Sequence, residues 1–140
     1  MWYLERFVTA QEKIYKAAFD EVRSGKKKTH WMWFVFPQIT GLGYSEISKY
    51  FSIKSREETA EYLAHPVLGK RLEEISEVLL NLRTNDPVEV FGEIDAVKLQ
   101  SCMTLFWVVT GRDVFADVLV KYFNGYLDFR TIQILRRMEG

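Results

Sequence analysis

Apolar residues recur every three or four positions along most of the chain, which is the spacing of amphipathic helices. This spacing predicts helices over residues 3–24, 66–82 and 113–124. Gly25 follows the first helix and is a typical C-terminal stop, and Pro66 suits the first turn of the second. These three helices provide much of the apolar surface from which a core can form.

Shorter helices are predicted from side chains that cap a helix N-terminus. Ser45, Ser55 and Asp128 are residue types that accept a hydrogen bond from the first turn. They predict helices that end near residues 51, 64 and 137. Asp86 and Pro87 begin another short helix, which ends near residue 92.

The helix predicted over residues 94–109 is apolar on nearly every face, and such a helix is buried on all sides. Lys98, Ser101 and Thr104 interrupt it, with Lys98 and Ser101 one turn apart on the same side. The Lys98 ammonium either reaches solvent along its aliphatic stem or points into a cavity, where it requires an anion.

The predicted fold class is all-α: a single compact domain, residues 1–140, with about seven or eight helices around the buried central helix 94–109. No segment has the alternation and turn residues of paired strands. Short β-bridges within residues 31–39 are compatible with the pattern, because Phe34, Val35 and Phe36 favour extended backbone.

Composition narrows the class of protein. Hydrophobic residues are 48% of the 140, which excludes intrinsic disorder. The 19 Lys and Arg residues balance the 19 Asp and Glu residues, so we expect neither nucleic acid nor a membrane as partner. Cys102 is the single cysteine, which excludes an internal disulfide and favours the reducing cytoplasm. No feature of the sequence indicates the oligomeric state.

The basic run Lys26–Lys28 is either a solvated helix end or a rim that attracts phosphate.

The segment Thr29–Ser45, THWMWFVFPQITGLGYS, contains most of the candidate ligand-binding residues. Trp31, Trp33 and Phe36 either stack on a planar ligand or form core. Gln38 lies within this aromatic stretch, and a buried glutamine amide requires hydrogen-bond partners from the protein or from a ligand.

A glycine loop follows the aromatic residues. Gly41 and Gly43 allow a sharp turn or a close backbone approach, and Ser45 stands at a helix N-terminus that favours an anion. Lys98, with Ser101 on the same side of its helix, is the candidate cation. Together these residues predict a site that holds phosphate or ribose hydroxyls.

His30 and Glu46 are the candidate catalytic residues. A histidine exchanges protons near neutral pH, and Glu46 is the carboxylate nearest to the glycine loop. The alternatives are a hydrogen-bonded structural histidine and a first-turn glutamate favoured by the helix dipole. No metal-binding or phosphate-loop motif is present, so we expect neither a metal nor a cofactor.

Three stretches, HWMWFVFPQITGLGYS, YLAHPVLGKRL and KLQSCMTLF, resemble motifs of a bacterial domain-of-unknown-function family, DUF1810. The resemblance runs from LERFVTAQ to VLVKYFNG and implies a small, all-helical, cytoplasmic domain with no established reaction. The family's usual KLRSSMTLF reads KLQSCMTLF here, so Gln100 and Cys102 replace an arginine and a serine. The label calpastatin, which some members carry, does not fit, because true calpastatin is disordered. A second, weaker similarity is to the NADAR proteins, which act on ADP-ribose-type glycosidic bonds.

Two functional hypotheses follow. The first is a small-molecule site of nucleotide or ADP-ribose type, either purely binding or a metal-free hydrolase of N-glycosidic or ADP-ribosyl bonds. The second is a non-catalytic protein-interaction module, in which the polar residues order the core. Convergence of His30, Gln38, Ser45 and Lys98 on one solvent-reachable cavity favours the first hypothesis.

Overall fold

Nine helices follow one another along residues 3–139, the part of the chain that the computed structural model describes. They are α1 (Glu5–Gln11), α2 (Tyr15–Arg23), α3 (Met32–Val35), α4 (Glu46–Tyr50), α5 (Arg56–Ala64), α6 (Leu68–Leu80), α7 (Pro87–Thr110), α8 (Asp113–Phe123) and α9 (Phe129–Met138). The all-α prediction is confirmed. The predicted domain, residues 1–140, also includes Met1, Trp2 and Gly140, which lie outside the described residues.

The helix predicted over residues 3–24 is two helices, α1 and α2, so that prediction was wrong. The Ile14 N–H donates to the Gln11 carbonyl at 3.1 Å, which closes a tight turn between them. The buried Gln11 amide donates to the Phe34 carbonyl at 2.6 Å and lies 3.1 Å from the Tyr62 hydroxyl. The break between α1 and α2 is thus held by contacts with residues distant in the sequence. It does not depend on a local glycine or proline, and neither occurs there.

The predicted caps are confirmed. Ser45 and Ser55 each accept a hydrogen bond from the backbone N–H three residues later, at 3.2 and 3.0 Å. Asp128 does the same at 3.1 Å. The capping side chains satisfy backbone donors that the first helical turn leaves unpaired, so these boundaries are set locally.

Helix α6 begins two residues later than Pro66. The His65 imidazole Nδ1 accepts from the N–H groups of Val67 and Leu68, at 3.1 and 3.2 Å. His65 therefore acts as the N-terminal cap of α6, and its role is structural.

Gly92 divides α7 into the two helices that the sequence predicts. Its φ of 81° and ψ of 167° are non-helical and favour glycine. Beyond the kink, Leu99 and Phe106 are fully buried in the core. Ile94 and Val97, however, are 75% and 57% exposed, so the prediction of burial on every face was wrong for the first turns. Within residues 3–139, no other helix packs on the face of α7 that carries these two residues; a cleft lies there.

The core lies where α7 packs against α5, α8 and α9, and α6 packs against α2, α5 and α8. A parallel bridge between Ile39 and Ile53 joins the segment after α3 to the segment after α4. No described helix combines the length and the apolar character needed to cross a membrane.

Candidate functional site

A cleft of about 580 Å³ lies between the glycine loop, residues 41–45, and the exposed face of α7. The walls also include the start of α9 and the end of α4. Its lining residues are Trp33, Gln38, Ile39, Gly41, Leu42, Gly43, Tyr44, Ser45, Ser48, Lys49, Phe51, Ser52, Ile94, Val97, Lys98, Ser101, Asp128 and Arg130. We call this cavity the glycine-loop cleft.

The Ile39–Ile53 bridge positions the glycine loop. The Thr40 N–H donates to the Ile53 carbonyl, and the Ile53 N–H donates to the Gln38 carbonyl, both at 2.8 Å. These bonds hold the backbone before the loop against the end of α4. Gly41 has a φ of +101°, which disfavours any side chain. A Cβ on Gly43 would lie only 2.6 Å from the Ser48 hydroxyl, so both glycines are required by the geometry.

Lys98 borders the cleft with its charge already partnered. Its Nζ lies 3.4 Å from Oδ1 of Asp95 and 4.9 Å from the centroid of the Trp33 ring. The other Asp95 oxygen pairs with Lys27 Nζ at 3.0 Å. The ammonium is thus neither a solvated chain end nor an isolated buried charge. It is held at the cleft wall by a carboxylate and an aromatic face.

Asp128 and Arg130 join α9 to the other walls of the cleft. The Ser101 hydroxyl lies 3.0 Å from Asp128 Oδ2, which also accepts a hydrogen bond from the Thr131 N–H in the first turn of α9. Arg130 Nη2 donates to the Leu42 carbonyl at 3.3 Å, across 88 positions of sequence. The sequence pattern identifies Asp128 only as a cap and gives no sign of Arg130, because no local pattern reports a contact so distant along the chain.

Seven of the predicted site residues line the glycine-loop cleft: Trp33, Gln38, Gly41, Gly43, Ser45, Lys98 and Ser101. The side-chain amide of Gln38 forms no hydrogen bond to residues 3–139, while its backbone carbonyl serves the bridge. The hydroxyl of Ser45 is engaged by the N–H of Ser48, so this short helix start has less capacity for an anion than the sequence suggested.

Four predicted site residues lie elsewhere. Trp31 and Phe36 are fully buried, with ring centroids 6.2 Å apart, so they belong to the core rather than to a ligand wall. Glu46 is exposed in the first turn of α4 and does not line the cleft. His30 is exposed and lines a neighbouring groove instead.

The comparisons with known proteins agree with this fold. The pattern of the family described as protein of unknown function, DUF1810, matches residues 2–135. The chain belongs to the DUF1810 family. The crystal structure of the conserved hypothetical protein Rv1873 from Mycobacterium tuberculosis has 42% sequence identity to it and superimposes with a TM-score of 0.93, over 95% of this chain and 96% of that one. No curated protein matches the chain. The resemblance seen in the motifs is therefore confirmed.

A second groove of about 510 Å³ adjoins the cleft in this DUF1810 chain. It shares Trp33, Ile94 and Lys98 with the glycine-loop cleft. Its other lining residues are Lys27, His30, Met32, Phe91, Gly92, Glu93 and Asp95. We call it the His30 groove.

The Glu21 carboxylate holds the segment that carries His30. It accepts the N–H groups of Lys28 and Thr29 at 2.6 and 3.0 Å, the Thr29 hydroxyl at 2.7 Å and the Trp31 indole N–H at 3.0 Å. Burial raises the pKa of Glu21, but these hydrogen bonds outweigh it and lower the pKa to about 2. The basic run is thus part of an ordered loop, with Lys28 bonded through its backbone and Lys27 paired with Asp95.

The low pKa of Glu21 predicts an acid-dependent loss of stability. The carboxylate stabilises the native state fully above its ordinary pKa of 4.5, and the gain is lost as the pH falls toward 2. Glu21→Gln should therefore unfold more easily than wild type at pH 6, and the difference should shrink steadily below pH 4.5. Urea denaturation at a series of pH values measures this. Glu61→Gln, at an exposed position, is the control. A stability difference between Glu21→Gln and wild type that did not change with pH would contradict the low pKa of Glu21.

Proposed function

We propose that this DUF1810 chain binds a small anionic molecule with a planar portion, of the nucleotide or ADP-ribose class, in the glycine-loop cleft. The observation that supports the proposal is the convergence of Gln38, Ser45 and Lys98 on one cavity; His30, the fourth residue of the expected set, lies in the adjoining groove. The cavity's volume, about 580 Å³, lies within the range of small-molecule sites. We also propose that the protein acts in the cytoplasm, because its single cysteine fits a reducing compartment.

The charge of the lining favours an anion. Lys49 and Arg130 contribute two cations to the lining, and Lys98 a third whose charge is shared with Asp95. Asp128 is the one carboxylate that the described residues bring to the lining. Oδ2 of that carboxylate already accepts hydrogen bonds from Ser101 and from the first turn of α9, and its charge offsets one of the cations. A concave surface with an excess of one charge concentrates ligands of the opposite charge.

The remaining lining suits a planar, polar-edged group. Trp33 and Phe51 provide aromatic surface, and the Gln38 amide has both a donor and an acceptor to offer. A planar ring that stacks on an aromatic side chain and hydrogen-bonds an amide fits this combination. Nucleobases are the common biological example of such a ring attached to phosphates.

The geometry favours binding over hydrolysis by the residues first considered for catalysis. His30 lines the neighbouring groove, and Glu46 lines neither cavity. A general acid or base must come within hydrogen-bond reach of the reacting group. Hydrolysis of an N-glycosidic or ADP-ribosyl bond is therefore a question for turnover assays once a ligand is known.

A thermal-shift screen tests the proposal. Purified protein is heated with ADP-ribose, NAD, nucleotides or free bases at several concentrations. We expect at least one compound to raise Tm progressively, because a ligand at about 100 times its Kd stabilises by about 2.7 kcal/mol. Arg130→Met and Lys98→Met should weaken the response, while Lys70→Met, an exposed lysine of α6, should not. The proposal would be rejected if no compound raised Tm at concentrations up to about 5 mM, which is about 5 times the Kd of a 1 mM binder. Protein partners would then be the next candidates, and the exposed Tyr44 and Ile94 are possible contacts for them.

A further inference from the structure

The glycine-loop cleft and the His30 groove meet along a common wall made by Trp33, Ile94 and Lys98. Ile94 is three-quarters exposed at this wall, and the Lys98 ammonium lies over the Trp33 ring. A ligand that leaves one cavity across this wall enters the other while keeping contact with Lys98. The two cavities are therefore adjacent parts of one concave surface.

The two cavities differ in charge. In the His30 groove, the cations Lys27 and Lys98 are matched by the carboxylates of Glu93 and Asp95. Lys27 is also nearly buried, pairs with Asp95 at 3.0 Å and lies 5.0 Å from the Trp31 ring centroid. Its charge is therefore satisfied within the protein. Unlike the glycine-loop cleft, this groove has no excess positive charge to attract an anion.

Two polar side chains of the His30 groove can accept hydrogen bonds from a ligand that carries hydrogen-bond donors. The Glu93 carboxylate accepts hydrogen bonds, and the His30 imidazole has a ring nitrogen that can accept one. Accessible apolar surface comes from Ile94 and Trp33, while Met32 and Phe91 are nearly buried. A flat ring with hydroxyl or amino groups at its edge can cover the apolar wall and donate to these acceptors.

The kink at Gly92 keeps this groove open. A Cβ at Gly92 would meet no atom within 4 Å, so the space directly beside the kink is free. The positive φ there ends the first part of α7 and directs Glu93 and Ile94 to the groove lining. The same feature that breaks the helix thus forms the second cavity.

We propose that the ligand has two parts and spans both cavities. Its anionic part lies in the glycine-loop cleft, and an uncharged ring with hydroxyl or amino donors stacks on Trp33, the aromatic side chain that the two cavities share, and extends into the His30 groove. The inference rests on the proposed function of the cleft and extends it to the size and chemistry of the ligand. Since both a sugar and a nucleobase carry such donors, the experiment must separate these two sources.

Isothermal titration calorimetry with four probes tests the two-part ligand. The probes are pyrophosphate, which has no ring, AMP, ribose 5-phosphate and ADP-ribose. Each is titrated into wild type, into the groove variants His30→Ala and Glu93→Gln, and into the cleft variant Arg130→Met. All three positions are exposed, so the variants should fold, and circular dichroism checks this.

We expect a ring-bearing probe to bind at least about 10-fold more tightly than pyrophosphate, a difference of about 1.4 kcal/mol. The groove variants should remove most of that gain and leave pyrophosphate binding unchanged, while Arg130→Met should weaken every probe. Because AMP contains the same ribose phosphate, sensitivity of AMP but not of ribose 5-phosphate indicates a base in the groove, and sensitivity of both probes indicates a sugar. Ring-bearing probes that bind equally to wild type and both groove variants would overturn the two-part ligand but leave the cleft proposal intact. No binding of any probe to wild type would overturn both.

Discussion

Glu58→Gln is expected to lower the free energy of unfolding by about 3–5 kcal/mol, because it leaves a buried guanidinium without its counter-ion. Arg6 Nη1 lies 2.8 Å from Glu58 Oε2, and both side chains are almost completely buried. Arg6 also donates to the carbonyls of Tyr50 and Ser52 at 2.8 Å, so it cannot move to solvent without breaking those bonds. The pair therefore joins α1 to both ends of the α4–α5 connection.

The exposed pair Lys16–Asp20, with an Nζ to Oδ2 distance of 3.0 Å, is the matched control. Asp20→Asn should cost less than about 1 kcal/mol, because solvent screens an exposed ion pair. Urea denaturation of both variants measures the contrast. A Glu58→Gln cost as small as that of the control would show that the buried pair does not contribute as its geometry implies.

A double replacement separates the charge from the hydrogen bonds. Arg6→Met combined with Glu58→Leu removes both charges, and replacing a whole buried pair by apolar residues is often close to neutral. Here the carbonyls that Arg6 serves and the Lys54 N–H, which donates to Glu58 at 2.6 Å, would lose their partners. We therefore expect the double variant to recover only part of the stability lost in Glu58→Gln.

Local signals predicted most helix boundaries. A cap such as Ser55 or Asp128 acts through the first turn of its own helix, so the sequence pattern contains all the relevant partners. Gly92 and Gly111 mark real changes of backbone direction because a positive φ is a local property. The break between α1 and α2 was not predictable in this way, since Gln11 is held by groups more than 20 residues away.

The candidate site was predictable on one side only. The wall formed by Gln38 and the glycine loop is a continuous stretch of sequence, and Lys98 with Ser101 follows from helical spacing. Arg130 and Asp128 approach from the C-terminal helix, and no spacing along the chain reports that approach. The exposure of Val97 was also hidden, because an apolar residue that lines a cleft resembles one that lies in the core.

Gly69→Ala should destabilise the protein by about 3 kcal/mol or more, although alanine normally favours a helix over glycine by about 1 kcal/mol. Gly69 is buried in the first turn of α6. A Cβ built there would lie 1.9 Å from the carbonyl oxygen of Leu63 and 2.7 Å from its carbonyl carbon. Both are backbone atoms of α5, so no side-chain rotation relieves the overlap and the two helices must separate.

Such a separation would disturb the junction that His65 holds. The His65 carbonyl accepts the Gly69 N–H at 3.0 Å, and its ring caps the start of α6. Lys70→Ala, at the exposed position next along the helix, is the control and should change stability by less than about 0.5 kcal/mol. Urea denaturation compares the two variants with wild type. If Gly69→Ala were instead more stable, helix propensity would dominate, and the close α5–α6 contact would not be what makes glycine necessary here.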